Sequence, residues 1–330
     1  MRRALRVAAD LVFALRPLLW VPAIALFAAG EIGGALSSGA PGTLGGAGGG
    51  VHPGTAASLG SLLLLLGAVH VANGWRDRAG DRVNRKGLVV ASGAIPGFAL
   101  AMLGGACVVA ALSLAFHPAL RAGSRALLAG AAVLGAAYVT PGVELKRRSG
   151  LDLASHGVGY GVVAFLLGAE SAGRIGSNVA GWGSAMAAAA PYAAGILAVA
   201  LVTMIADAPG DGAAGQRTLA VALGGARAWS LARALAWTTA LAGLLVGEWI
   251  PALWGVLGAV VLSLRGSEEP SAANRVAIVL QLVFLTLVAP RAPVAAGVAV
   301  AIAAAASAYG AWRWGEGYPW SRISVRRACT

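Results

Sequence analysis

The residues able to do chemistry in this chain are few, and they cluster. Asn73, Asp77 and Asp81 follow one another at i, i+4, i+8 within "VANGWRDRAGDRVNRKG", residues 71–87. If the apolar helix before them continues through, all three lie along one face. Asp207 and Asp211 repeat the i, i+4 step in "MIADAPGDGAAGQRTLAVALG". Carboxylates one turn apart repel each other unless a cation sits between them. The chain has only 13 acidic residues, and these two pairs account for four of them. One such pair alone reads as a solvated helix end. Two, each at the end of an apolar run and each followed by basic residues, read as a site. Hard oxygen ligands suit Mg²⁺, which typically takes one or two carboxylates plus phosphate oxygens. The neighbouring arginines then become phosphate partners, because their planar forks bind its oxygens in pairs. The chemistry implied is a metal cation bridged to a polyanion.

The elements that must position these residues are membrane helices. Of the 330 residues, 58% are hydrophobic and only 12% charged, where soluble domains are nearer a quarter charged. Apolar runs of spanning length recur throughout, which predicts an all-α polytopic bundle of about nine to ten transmembrane helices around a central cavity. The segments fall near 14–36, 57–75, 95–116, 124–142, 153–172, 184–206, 226–247, 249–264, 275–290 and 294–313. The pair near 226–264, separated by "GEWIP", reads alternatively as one broken helix. All but four of the 25 lysines and arginines lie at the termini or near alternate loops, the exceptions being Arg121, Arg125, Arg174 and Arg291. The positive-inside rule then predicts both termini in the cytoplasm and the acidic clusters on the cytoplasmic side. It also accounts for the net charge of +12 without nucleic acid.

One domain, 1–330, is expected: a motif-bearing part over 15–225, helices over 226–314 and a cytoplasmic tail over 315–330. The basic start looks like a signal peptide, but Arg16 and Pro17 interrupt its apolar part, so an uncleaved first helix is expected. Residues 37–58 read as a Gly-rich connector. Cys107 and Cys329 make no disulfide framework, and the ending "RACT" lacks the prenylation pattern.

Four stretches together resemble the UbiA superfamily of intramembrane prenyltransferases. Asn73 to Asp81 resembles its "NDxxDxxxD" motif and is followed by "NRKGLVVASGAIP". "YVTPGVELKRRSG" is similar to "YSxPPxRxKrxG" at Tyr138, Pro141, Lys146 and Arg147. "DAPGDGAAGQRTLAVALG" is similar to "DxxGDxxxGxxTLxVxLG", and "LRPLLWVPA" to an "RPxxW" opening. The resemblance implies a helical bundle whose cavity opens to lipid and is capped by the acidic motifs. It implies Mg²⁺-dependent ionisation of an isoprenyl diphosphate and alkylation of an aromatic or other lipophilic acceptor. Carried over by position, Asn73, Asp77 and Asp81 would bind one Mg²⁺, and Asp207 and Asp211 the other. Arg85, Lys146 and Arg217 would contact the diphosphate, and Tyr138 would lie near the reacting carbon. Two positions depart from the pattern: Gly74 replaces the family's second residue, an aspartate, and Glu144 its arginine.

Alternatives remain open on these residues: a terpene cyclase of the same fold, or a non-catalytic isoprenoid-lipid-binding or transport protein on a degenerate scaffold. An ion transporter would place its acids at mid-membrane depth rather than at helix ends. His70 reads as a structural histidine bonded to a neighbour, His156 as interfacial, and Glu170 as solvated. Trp249, Trp312, Trp314 and Trp320 read as an interfacial belt.

Overall fold

In lipid, backbone N–H and C=O groups have no water to satisfy them, so apolar spans must be helical. The computed structural model describes residues 2–33, 52–84, 86, 88–176, 178–264 and 269–314, and among them every regular element is a helix. In order these are α1 (Arg2–Ala14), α2 (Val21–Ile32), α3 (Pro53–Val83), α4 (Leu88–Ala91), α5 (Gly97–Ala115) and α6 (Ala122–Val139). Then come α7 (Leu151–Ser171), α8 (Val179–Ala213), α9 (Leu219–Leu223), α10 (Gly225–Leu245), α11 (Trp249–Leu264), α12 (Pro270–Val288) and α13 (Pro293–Trp314). Eight helical stretches, α1 and α2 counted as one, are long and apolar enough to cross a membrane.

Every apolar segment read from the sequence is helical. The two near 226–264 form a hairpin rather than one broken helix. Gly247 turns it at φ +75°, and Gly255 lets the backbones touch, since a Cβ there would lie 2.3 Å from the amide nitrogen of Ala240. In lipid such close backbone approach, rather than burial of apolar surface, is what draws helices together. The Gly-rich connector lies mostly outside the described residues, and the tail, with Trp320 and Cys329, lies wholly outside them.

Both motif helices run beyond the lengths read from the sequence. At about 1.5 Å per residue, α3 with 31 residues and α8 with 35 exceed a hydrocarbon core of about 30 Å. The aspartates lie near the C-terminal ends of these helices, as direct continuations of the spans. A 3₁₀ turn at Pro17–Trp20 separates α1 from α2, because Pro17 follows Arg16, whose backbone is left-handed at φ 53°.

The first and last helices are tied together. Asp10, 4% exposed, accepts from Tyr309 Oη at 2.6 Å and Arg313 Nε at 2.9 Å, and Phe13 stacks on Tyr309 at 3.9 Å. Asp10→Ala should therefore lower thermal stability by about 2 kcal/mol, the usual scale for a bond to a charged group. A melting temperature equal to wild type would refute that role.

Candidate active site

The two motif helices meet through glycine. A Cβ on Gly210 of α8 would lie 2.5 Å from the carbonyl oxygen of Gly80 on α3, and one on Gly80 would lie 3.1 Å from that of Gly210. Beside this crossing Asn84 clips the helices together. Its Nδ2 donates to the Asp207 carbonyl at 2.8 Å, and its Oδ1 accepts from Gly210 N–H at 2.8 Å. Pro209, inside α8, has no N–H to give to the Ile205 carbonyl.

Around the crossing, carboxylates and cations alternate. Lys146, 3% exposed, donates from Nζ to Asn73 Oδ1 at 2.8 Å and to Asp77 Oδ1 at 2.6 Å. Gln216, 5% exposed, donates to the same Asp77 oxygen at 2.9 Å. Asp81 is ion-paired with Arg16, and Lys86 Nζ approaches it at 3.8 Å while pairing with Asp207. Asp211 accepts from Thr218 Oγ1 at 3.3 Å and pairs with no basic side chain among the described residues. Burial pushes Lys146 below the usual lysine range, against the pull of Asp77. For Lys86 burial acts the same way, but the carboxylates of Asp207 and Asp81 outweigh it and hold the ammonium above that range.

Both departures from the family pattern have a structural counterpart. A Cβ on Gly74 would lie 3.2 Å from Arg16 Nη2, so the missing side chain leaves room for the guanidinium that pairs with Asp81. Glu144 is paired with Arg76 on α3, and Arg147 lies 3.8 Å away; the inverted charge is neutralised locally. Arg16 and Glu144 are also the two non-glycine residues with left-handed backbone among those described. That conformation costs about 1–2 kcal/mol per residue, and both side chains end in ion pairs with α3.

The chain belongs to the UbiA prenyltransferase family: that family's profile matches residues 35–268. Solved structures share its fold. A UbiA homolog from Archaeoglobus fulgidus bound to GPP and Mg²⁺ is 16% identical, with a TM-score of 0.63 over 85% of this chain and 99% of that one. The same homolog bound to Cd²⁺ is 15% identical, with a TM-score of 0.60 over 83% and 97%. A structure concerned with digeranylgeranylglyceryl phosphate synthase in membranes is 14% identical, with a TM-score of 0.54 over 90% and 99%. No curated protein sequence matches. Family and apolar helices together make this an integral, multi-pass membrane protein of the prenyltransferase type.

The residues singled out by the UbiA resemblance are placed as follows. Asn73, Asp77, Asp81, Asp207, Asp211 and Lys146 stand together at the crossing of α3 and α8. Tyr138, at the end of α6, is half-buried and within electrostatic reach of Asp77 and Asp211. Arg217 is exposed and its backbone bridges to Arg148, while its neighbour Gln216 reaches Asp77. Arg85 lies outside the described residues. Sequence reading gave no role to Gln216, Asn84, Lys86 or Arg16; all four lay inside quoted motifs, but nothing in their spacing said which carboxylate or backbone group each would meet. Of the three readings set aside, that of Glu170 changes: it is 7% exposed rather than solvated, because its carboxylate lies against Gly123. His156 is packed between Tyr138 and Tyr160. His70 does bond its neighbours, Leu15 and Tyr160.

The donor set fits a divalent cation. It is all oxygen, and four of its five members, Asn73, Asp77, Asp81 and Asp207, already hold a lysine or arginine. Among the described residues no three carboxylate, histidine or cysteine groups form a ready-made metal cluster.

Proposed function

We propose that this protein transfers an isoprenyl group from a polyprenyl diphosphate to an aromatic or other lipophilic acceptor within the membrane, in a Mg²⁺-dependent reaction. The observation that carries this reading is the crossing at Gly80 and Gly210, which brings five oxygen ligands and three cationic side chains to one helix end. We place that end at the cytoplasmic face, with both termini on the same side, from the lysine and arginine asymmetry. The solved relative bound to GPP and Mg²⁺ supports the substrate class.

Asn73, Asp77 and Asp81, with Asp207 and Asp211, would hold the metal. Bound there, Mg²⁺ would neutralise charge building on the leaving diphosphate. Lys146, Lys86 and Arg16, now held by these carboxylates, would turn to the diphosphate and add positive charge beside it. Tyr138 offers an aromatic face, which attracts cations, beside the allylic cation. An apolar hollow between α1, α4 and α13, lined by Phe13, Pro17, Val90, Tyr309 and Trp314, reaches the site at Arg16.

Purified protein in nanodiscs, offered geranyl, farnesyl and geranylgeranyl diphosphates with Mg²⁺, should release pyrophosphate, and EDTA should stop it. Alkylated acceptor in the extract supports transfer. A cyclised terpene with no acceptor joined would move the assignment to a cyclase. Binding of the diphosphates without release would move it to a non-catalytic carrier.

A further inference from the structure

Alkylation by an allylic cation leaves the acceptor with one proton too many, which a base must remove. Resting on the transfer reading above, we propose that His156 Nε2 is the base that removes this proton.

His156 ends the α-helical first part of α7, just before a π-helical stretch, Gly157–Ala164. Such stretches often mark functional sites. Its Nδ1 lies 2.9 Å from the backbone carbonyl of Asp152. A carbonyl only accepts, so Nδ1 carries the hydrogen and Nε2 carries the lone pair. No donor reaches that lone pair among the described residues. Tyr138 meets the ring edge-on at 5.7 Å and Tyr160 stacks on it at 6.1 Å, so an aromatic wall surrounds the imidazole. Asp207 is within its electrostatic reach.

The other candidate, His70, is already engaged. Its Nδ1 faces the Leu15 carbonyl at 3.3 Å, so its Nε2 accepts from Tyr160 Oη at 2.9 Å. Its basic nitrogen is spent on holding Tyr160, which in turn backs His156.

The turn bearing His156 is rigidly tied to the second acidic motif. Asp152, 1% exposed, accepts from the backbone N–H groups of Gly150 and Leu153 at 2.8 Å each, and from Leu219 at 2.7 Å. Leu219 follows Thr218, the partner of Asp211. The imidazole is therefore positioned by the same loop that closes the candidate metal site.

The step balances without a further reactant. The C–O bond of the diphosphate breaks, and pyrophosphate leaves with its electron pair. A π bond or hydroxyl oxygen of the acceptor supplies the pair for the new bond. His156 Nε2 then takes the excess proton, and the released C–H or O–H pair returns to the acceptor. The imidazolium passes its proton to solvent.

The test uses the full chain in nanodiscs with geranylgeranyl diphosphate, Mg²⁺ and a pool of hydroxybenzoate and hydroxynaphthoate acceptors. It reads pyrophosphate release and the ratio of proton-loss products (alkylated acceptor or diene) to prenyl alcohol formed by water. His156→Asn keeps a donor for the Asp152 carbonyl but is no base, and His156→Gln is the second variant. Both should retain pyrophosphate release within about threefold while the ratio falls by about 10²-fold, the lower end of general-base contributions. Added imidazole should restore part of the ratio. An unchanged ratio in the His156 variants overturns the proposal, as does wild type that makes only alcohol. Loss of pyrophosphate release in folded variants that still bind the diphosphate also overturns it, since His156 would then serve ionisation. Wild type that releases no pyrophosphate removes the transfer reading beneath it.

Discussion

Asp77→Asn is expected to reduce Mg²⁺-dependent pyrophosphate release by about 10³-fold or more. Asp77 is the busiest carboxylate of the site, receiving both Lys146 and Gln216. Its loss removes one of the proposed charged metal ligands and also leaves the ammonium of Lys146, 3% exposed, without its counterion. Metal stabilisation of a leaving group is worth several kcal/mol, and about 4 kcal/mol corresponds to 10³ in rate. Lys146 should rearrange in this variant, so the binding of Mn²⁺, measured by calorimetry with and without diphosphate, should weaken together with the rate. A variant within tenfold of wild type would remove Asp77 from the metal site and shift attention to Asp207 and Asp211.

Gly210→Val should be nearly as damaging although valine touches no substrate. Its Cβ would lie 2.4 Å from Asn84 Nδ2 and 2.5 Å from the Gly80 carbonyl. One of these is backbone, so the two motif helices must move apart. Overpacking of this kind costs about 1–3 kcal/mol of stability, and a shift of about 1 Å between reacting groups can cost about 10² in rate. The matched control is Gly212→Ala, two residues on, where an added Cβ meets nothing within 4 Å. That variant should keep wild-type release and lose no stability, since alanine favours the helix. Equal behaviour of the two variants would mean that the glycine contact does not position the site.

Membership of the family, the helical class and the rough positions of the spans were legible in the sequence for a physical reason. Lipid forbids unsatisfied backbone, so hydropathy and element type become nearly the same information. The acidic motifs were legible too, because a carboxylate near the membrane is costly and so few occur. Spacing at i, i+4 needs only a helix to become a shared face, and α3 and α8 supply it.

What spacing could not supply was the partner across space. That Lys146 lies between Asn73 and Asp77, that Gln216 rather than Arg217 faces Asp77, and that Glu144 is answered by Arg76 all depend on how loops fold back over α3. Adjacent residues in a loop point to different sides, so a one-position change of direction exchanges a buried glutamine for an exposed arginine. Gly74 looked like a loss in one dimension; in three it makes room for Arg16, which lies 65 positions from Asp81 in the chain. His156 shows the same limit. Its neighbours are Tyr138 of α6, Tyr160 of the π-helical turn and the Asp152 carbonyl of α7, and none of them gives Nε2 a donor. Residue types and periodicity determined which groups this protein can use; tertiary packing decided which of them face one another.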